Sequence, residues 1–66
     1  MYILLNGKEH EVADDATLAQ LISTLNLADR RFAVEINETL IPRSTHGEHV
    51  LQPDDRVEIV QAIGGG

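Results

Sequence analysis

The chain has 66 residues, with five Lys and Arg against eleven Asp and Glu, giving a formal net charge of -6 at pH 7. That length holds one small domain, which buries only ~60% of the surface its unfolded chain exposes. The negative balance argues against nucleic acid and anionic membrane as partners, because phosphate binding needs clustered positive charge. There is no cysteine, which excludes disulfides, thiolate metal sites and a thiol nucleophile supplied by these residues. Hydrophobic residues make up 42% of the chain, too many for an acidic disordered tail. No apolar run approaches the ~18 residues of a membrane span and no signal peptide is read at the start, so a cytoplasmic location is expected.

The first elements read as a hairpin. Asn6-Gly7 separates Tyr2-Ile3-Leu4-Leu5 from Lys8-Glu9-His10-Glu11-Val12, and Asn-Gly suits a type I′ turn, which needs positive φ at both central positions. The turn predicts pairing of Leu5 with Lys8, Ile3 with His10 and Met1 with Val12. Met1, Ile3, Leu5, His10 and Val12 then share the core face, and Tyr2 and Leu4 point the other way. A helix over about residues 18–26 is predicted next. Thr17 and Gln20 form its capping box, and Leu18, Leu21, Ile22 and Leu25 form one apolar stripe. Asp14 and Asp15 are expected to favour its N-terminal dipole, and Asn26 to cap its end.

Phe32 to Asn37 alternates as a half-buried strand. Asn37-Glu38 reads as a tight turn into Thr39-Leu40-Ile41, which Pro42 ends. Residues 44–49 are expected to hold one helical turn in a solvated loop. Gln52-Pro53-Asp54-Asp55 is a turn signal, and the last strand runs from Arg56 to Ile63, free to lie beside the first. The elements predict an α+β layer pair: antiparallel strands covered by one helix.

Few side chains suggest chemistry. His46 and His49 have only Glu48 beside them, and a metal is not expected there. His10 falls on the core face as a partly buried, hydrogen-bonded histidine. Asp14-Asp15 and Asp54-Asp55 sit where turns and helix starts favour Asp. Ser23 and Ser44 lack a base in any recognisable motif. No Gly-rich phosphate loop is present. The ending Gly64-Gly65-Gly66 stands apart. Read as a frayed end it has no function. Read as a reactive end, it offers the Gly66 carboxylate, a poor electrophile until another enzyme converts it to a mixed anhydride. Glycine permits close backbone approach in a narrow tunnel, and three extended residues reach about 10 Å.

Over its whole length the sequence resembles the ThiS family, the small sulfur carriers of thiamine thiazole biosynthesis. The likeness rests on Ile3-Leu4-Leu5-Asn6-Gly7, Asp15-Ala16-Thr17-Leu18, Ala33-Val34-Glu35-Ile36-Asn37, Ile41-Pro42-Arg43-Ser44, Asp54 to Val60 and the closing Gly65-Gly66. It implies an α+β, ubiquitin-like β-grasp fold, a mixed sheet of four to five strands packed on one main helix. Residues 1–63 would form the domain and 64–66 a flexible glycine tail. It implies a carrier rather than an enzyme, with no catalytic residue, metal or bound cofactor of its own. A ThiF-like adenylyltransferase of the ubiquitin-activating type would consume ATP to adenylate Gly66. Sulfur from a donor such as cysteine desulfurase would make a thiocarboxylate, to be delivered to a ThiG-like thiazole synthase. Gly64 and Gly65 would thread the tail, although the third glycine departs from the Gly-Gly core of the motif.

Docking is expected on the sheet face opposite the helix, through Tyr2, Leu4, Val60, Ala62 and Glu58. Glu35, Asp54 and Asp55 would add acidity toward basic partner surfaces, and the carrier alone would be monomeric. The alternatives are the small subunit of molybdopterin synthase, a ubiquitin-like protein modifier joined through Gly66, and a plain interaction domain with an inert tail.

Overall fold

Asn6 and Gly7 both adopt left-handed backbone angles, φ 50° and 84°, the signature of a type I′ reversal. In the computed structural model, which describes residues 1–27 and 31–61, this turn joins β1 (Tyr2–Leu5) to β2 (Lys8–Glu11). The antiparallel register pairs Leu5 with Lys8 and Ile3 with His10, as the two-residue turn dictates. A second turn of the same kind, Asn37 and Glu38 at φ 51° and 71°, joins β3 (Phe32–Ile36) to β4 (Thr39–Ile41). The chain then returns through a 3-10 turn (Arg43–Thr45) to β5 (Arg56–Gln61). Pro53 and Asp54 make the last reversal, Asp54 at φ 67° with Asp55 N–H donating to the Gln52 carbonyl at 3.2 Å.

The sheet order is β2-β1-β5-β3-β4. Only the central β1–β5 pairing is parallel, so the sheet is mixed. On one face, Ile3, Val34, Ile36 and Val57 pack with Leu18 and Leu21 of the helix and with Leu51 and Ala16. Met1, Leu5, Val12, Ile22, Leu25, Phe32, Ile41 and Ile59 ring this core, each large apolar side chain contributing roughly 1.5–3 kcal/mol when fully buried.

Helix α1 (Leu18–Ser23) starts where the sequence places it. Thr17 Oγ1 accepts from Gln20 N–H at 3.2 Å and Gln20 Oε1 accepts from Thr17 N–H at 2.8 Å. The next two N–H groups, which no helical carbonyl reaches, are held by the loop. Leu18 N–H donates to the His49 carbonyl at 2.8 Å and Ala19 N–H to the His46 carbonyl at 3.0 Å. Loop carbonyls therefore serve the helix start, while Asp14 and Asp15 precede it and make no hydrogen bond to it among the described residues. No acidic residue lies in the first turn, and Asp14 instead meets the Met1 amino group at 3.1 Å.

The helix also ends three residues earlier than its apolar stripe suggests. Ser23 Oγ and Thr24 Oγ1 each donate at 2.7 Å to the carbonyl three residues before. Leu25 N–H likewise bonds the Ile22 carbonyl, so the closing turn tightens to 3-10 geometry. Thr24 is the cap, and Asn26, at φ 57°, reverses the chain two positions later. β3 stops at Ile36, one residue short of expectation, because Asn37 opens the turn. Ala62 and Ile63, expected to extend the last strand, lie outside the described residues.

The expectation of a solvated loop over residues 44–49 is overturned at His46, which is 7% exposed. Its Nε2 lies 3.1 Å from the Ile41 carbonyl, and its ring stacks on Phe32 at 6.3 Å between centroids. The Arg43 guanidinium covers Phe32 at 4.7 Å. These contacts pin the turn after β4 against the start of β3.

Replacing Thr17 by Ala should lower stability by about 1 kcal/mol. A thermal scan should show a Tm lower by roughly 4–8 °C, since the domain is small.

Candidate functional site

β5 carries two sets of side chains. Val57 is fully buried and Ile59 half-buried toward the helix, while Arg56, Glu58 and Val60 face the other way, all exposed. Register extends that outer face across the sheet. Leu4 lies beside Arg56, Glu35 opposite Glu58, Ala33 opposite Val60, and Leu40 opposite Glu35. Tyr2, on the same side of β1 as Leu4, is 55% exposed, and Val60 is 61% exposed. The structure thus brings Tyr2, Leu4, Glu58 and Val60 to one face, as the alternation predicts. Leu4 is half-buried, forming part of a shallow hollow with Glu38, Arg56 and Glu58. Ala62, Gly64, Gly65 and Gly66 lie outside the described residues.

Leu40, 62% exposed, belongs to this face and was missed. The signal was in the sequence. Ile41 packs on the core, so strand alternation turns Leu40 outward.

Glu35 and Glu58 stand directly opposite each other in the β3–β5 ladder. Like charges so placed are unfavourable by roughly 0.2–1 kcal/mol. Neither carboxylate makes a salt bridge among the described residues. The face therefore carries two facing carboxylates amid its apolar side chains, with Arg56 lining the same hollow as Glu58.

Two acidic residues divide differently from expectation. Asp54 is exposed at its turn, but Asp55 is only 8% exposed and is withdrawn from any partner. Its carboxylate accepts from Asn37 Nδ2 at 3.0 Å and from Gln52 N–H at 2.9 Å. Asn37 Oδ1 in turn accepts from Arg56 N–H at 2.9 Å. The group fixes the entry of β5 against the β3–β4 turn. His10 is half-buried opposite Ile3, yet its ring makes no hydrogen bond among the described residues. Those residues also hold no group of three or more His, Cys, Asp or Glu placed to bind a metal. No helix among them is long and apolar enough to cross a membrane.

A mixed five-stranded sheet of this order, packed on one helix, is a ubiquitin-like β-grasp domain. The ThiS family pattern matches residues 3–66, and the chain belongs to that family. It is 30% identical to the sulfur carrier protein ThiS of Escherichia coli over 66 residues, covering all of both chains. The crystal structure of the thiamine biosynthesis protein ThiS from Geobacter metallireducens superposes with a TM-score of 0.84 at 29% identity, again over the whole of both. Two curated thiazole synthases also match over all 66 residues, that of Magnetococcus marinus at 44% identity and that of Paramagnetospirillum magneticum at 33%. The chain spans about one fifth of the length of these two relatives.

Removing one charge of the facing pair should stabilise the free domain. Glu58→Gln and Glu35→Gln are each expected to raise Tm by a few degrees at low ionic strength. The gain should shrink in ~1 M salt, where the Debye length falls to about 3 Å.

Proposed function

We propose that the chain is a sulfur carrier for the thiazole of thiamine, working through the carboxylate of Gly66. The observation that carries this reading is the end-to-end match to the Escherichia coli sulfur carrier, which spans 100% of each chain. In this reading residues 1–63 are the recognition domain and 64–66 the tail that enters partner enzymes.

The chemistry follows from the carboxylate. Its negative charge repels nucleophiles, so it must be activated before sulfur can add. A ThiF-like adenylyltransferase binds ATP and consumes it. A Gly66 oxygen attacks the α-phosphorus, pyrophosphate leaves, and the acyl-adenylate forms. The terminal sulfur of a persulfide from a donor such as cysteine desulfurase then displaces AMP at the acyl carbon, and a thiol reductant cleaves the resulting acyl disulfide, leaving a thiocarboxylate for a thiazole synthase to consume. The chain itself supplies no acid, base or cofactor. Gly64 and Gly65 let the backbone approach closely, since a Cβ at either position would widen the thread. The absence of cysteine fits sulfur held on the terminus and not on a side chain.

Recognition falls to the outer sheet face: Tyr2, Leu4, Val60 and Ala62 as apolar contacts, with Leu40 added by the structure. Glu58 and Glu35 are set for basic partner groups. Exposed apolar side chains gathered on one face are a common mark of protein interaction, and charge complementarity mainly speeds encounter.

Incubation with the cognate adenylyltransferase, ATP and a sulfur donor should raise the intact mass by about 16 Da, as one oxygen gives way to sulfur. A variant with one residue appended after Gly66 should fold with unchanged Tm and show no gain. Thiocarboxylate on that variant would refute the assignment. Val60→Asp should weaken adenylyltransferase binding by at least about tenfold while moving Tm little, because Val60 faces solvent. A fall in Tm without loss of binding would make it a core residue instead.

A further inference from the structure

The sheet has two outer edges and one inner notch. β2, at one edge, carries Lys8, Glu9 and Glu11, and β4, at the other, is three residues long and closed by Pro42. Charge, brevity and proline are the usual means of keeping an edge from pairing with other chains. The notch has none of these. In β5, even-numbered residues turn their main-chain groups toward β3, as Asn37 N–H donating to the Arg56 carbonyl shows. Odd-numbered residues turn theirs toward β1. Leu4 N–H donates to the Asp55 carbonyl and Asn6 N–H to the Val57 carbonyl, both at 2.8 Å.

β1 then ends. Asn6 enters the hairpin turn, and its side-chain Oδ1 accepts Ile59 N–H at 2.8 Å in place of the next strand carbonyl. Beyond that bond, the Ile59 carbonyl and the Gln61 N–H and carbonyl face the β1 side with no strand beside them among the described residues. β5 thus runs past the hairpin with one side unpaired, directly before the tail and next to exposed Val60.

We propose that this notch receives an extended segment of thiazole synthase, which continues the sheet beside β5 through main-chain bonds to Ile59 and Gln61. The inference rests on the carrier reading above and specifies how the partner takes hold. Three features favour this occupant. The unmatched groups are a donor and two acceptors in strand spacing, which an extended backbone satisfies and a helix does not. The notch adjoins the face carrying Val60, so one partner can cover both. Two thiazole synthases contain a region 44% and 33% identical to this chain within their own longer chains, so this domain occurs physically joined to that protein.

Amide hydrogen exchange on the full carrier, alone and with the cognate thiazole synthase, tests the proposal. Val60 N–H, paired with β3, should be protected in both states. Gln61 N–H should exchange fast alone and at least about a hundredfold more slowly in the complex. Gln61→Pro removes that donor without removing a bond to β3. It should keep Tm near the parent value and lose about tenfold in affinity, whereas Gln61→Ala keeps both. Gln61 protected in the free carrier, Gln61 still fast in the complex, full affinity in Gln61→Pro, or no complex at all would each overturn the notch as the binding mode. The mass gain on Gly66, measured on the same preparation, separates the readings. If it occurs while Gln61 stays fast, the notch fails and the carrier stands. If it is absent, the carrier reading fails on its own evidence.

Discussion

The parallel pairing of β1 with β5 is the contact on which the rest of the molecule depends. It places the last strand of the chain at the centre of the sheet, between β1 and β3. Val57, its second residue, is wholly buried. Parallel neighbours cannot be joined by a tight turn, so the chain between them must travel, and it uses that length for the helix, the β3–β4 hairpin and the long return loop. Each of these covers or borders β5. Over Arg56 and Val57 this strand is flanked on both sides, and it is the one that leads to the glycines.

The return loop contributes more than connection. Its carbonyls at His46 and His49 hold the first two N–H groups of α1, and Leu51, 1% exposed, packs in the core while its N–H bonds the Ala16 carbonyl at 2.9 Å. A helix of six residues is far below the ~12–15 needed for independent stability in water. It persists because its start is hydrogen-bonded by another segment and its stripe is buried against three strands. Loop, helix and sheet are therefore one cooperative unit, and none could be loosened without loosening β5.

Much of this was legible because each local signal was consistent with the global arrangement. Asn6-Gly7 and Asn37-Glu38 fixed two registers, and the capping box at Thr17 and Gln20 fixed the start of the helix. The alternation in β1 and β5 separated a core face from a face bearing Tyr2, Leu4, Glu58 and Val60. What was misread shares a physical origin. A sequence shows neighbours along the chain, so it gave no sign that the carbonyls of His46 and His49, about thirty residues away, would also serve the helix start. Asp55 was assigned to the surface because acidic residues usually are, and only the fold shows Asn37 and Gln52 converging on it. His46 was placed in solvent for want of any signal that Phe32 and Ile41 would close over it. Leu40 was recoverable from the parity of its neighbour, but a three-residue strand offers too short a pattern to assert it.

Electrostatics and packing on the outer face point in one direction. Glu35 opposite Glu58 is unfavourable for the free domain, and Val60 and Leu40 stay exposed on the same face. In the proposed reading, a partner surface that supplies positive charge and apolar area together would make both features favourable. The same strand that presents Glu58 and Val60 outward also turns the unpaired groups of Ile59 and Gln61 sideways. A partner that reads the face and extends the sheet is then oriented in two directions at once. On that reading, a partner held on β5 would sit close to the reactive end, since Gly66 comes only six positions after Val60. In the carrier reading proposed above, the chemistry takes place at the Gly66 carboxylate, and orienting that end would be what the domain contributes.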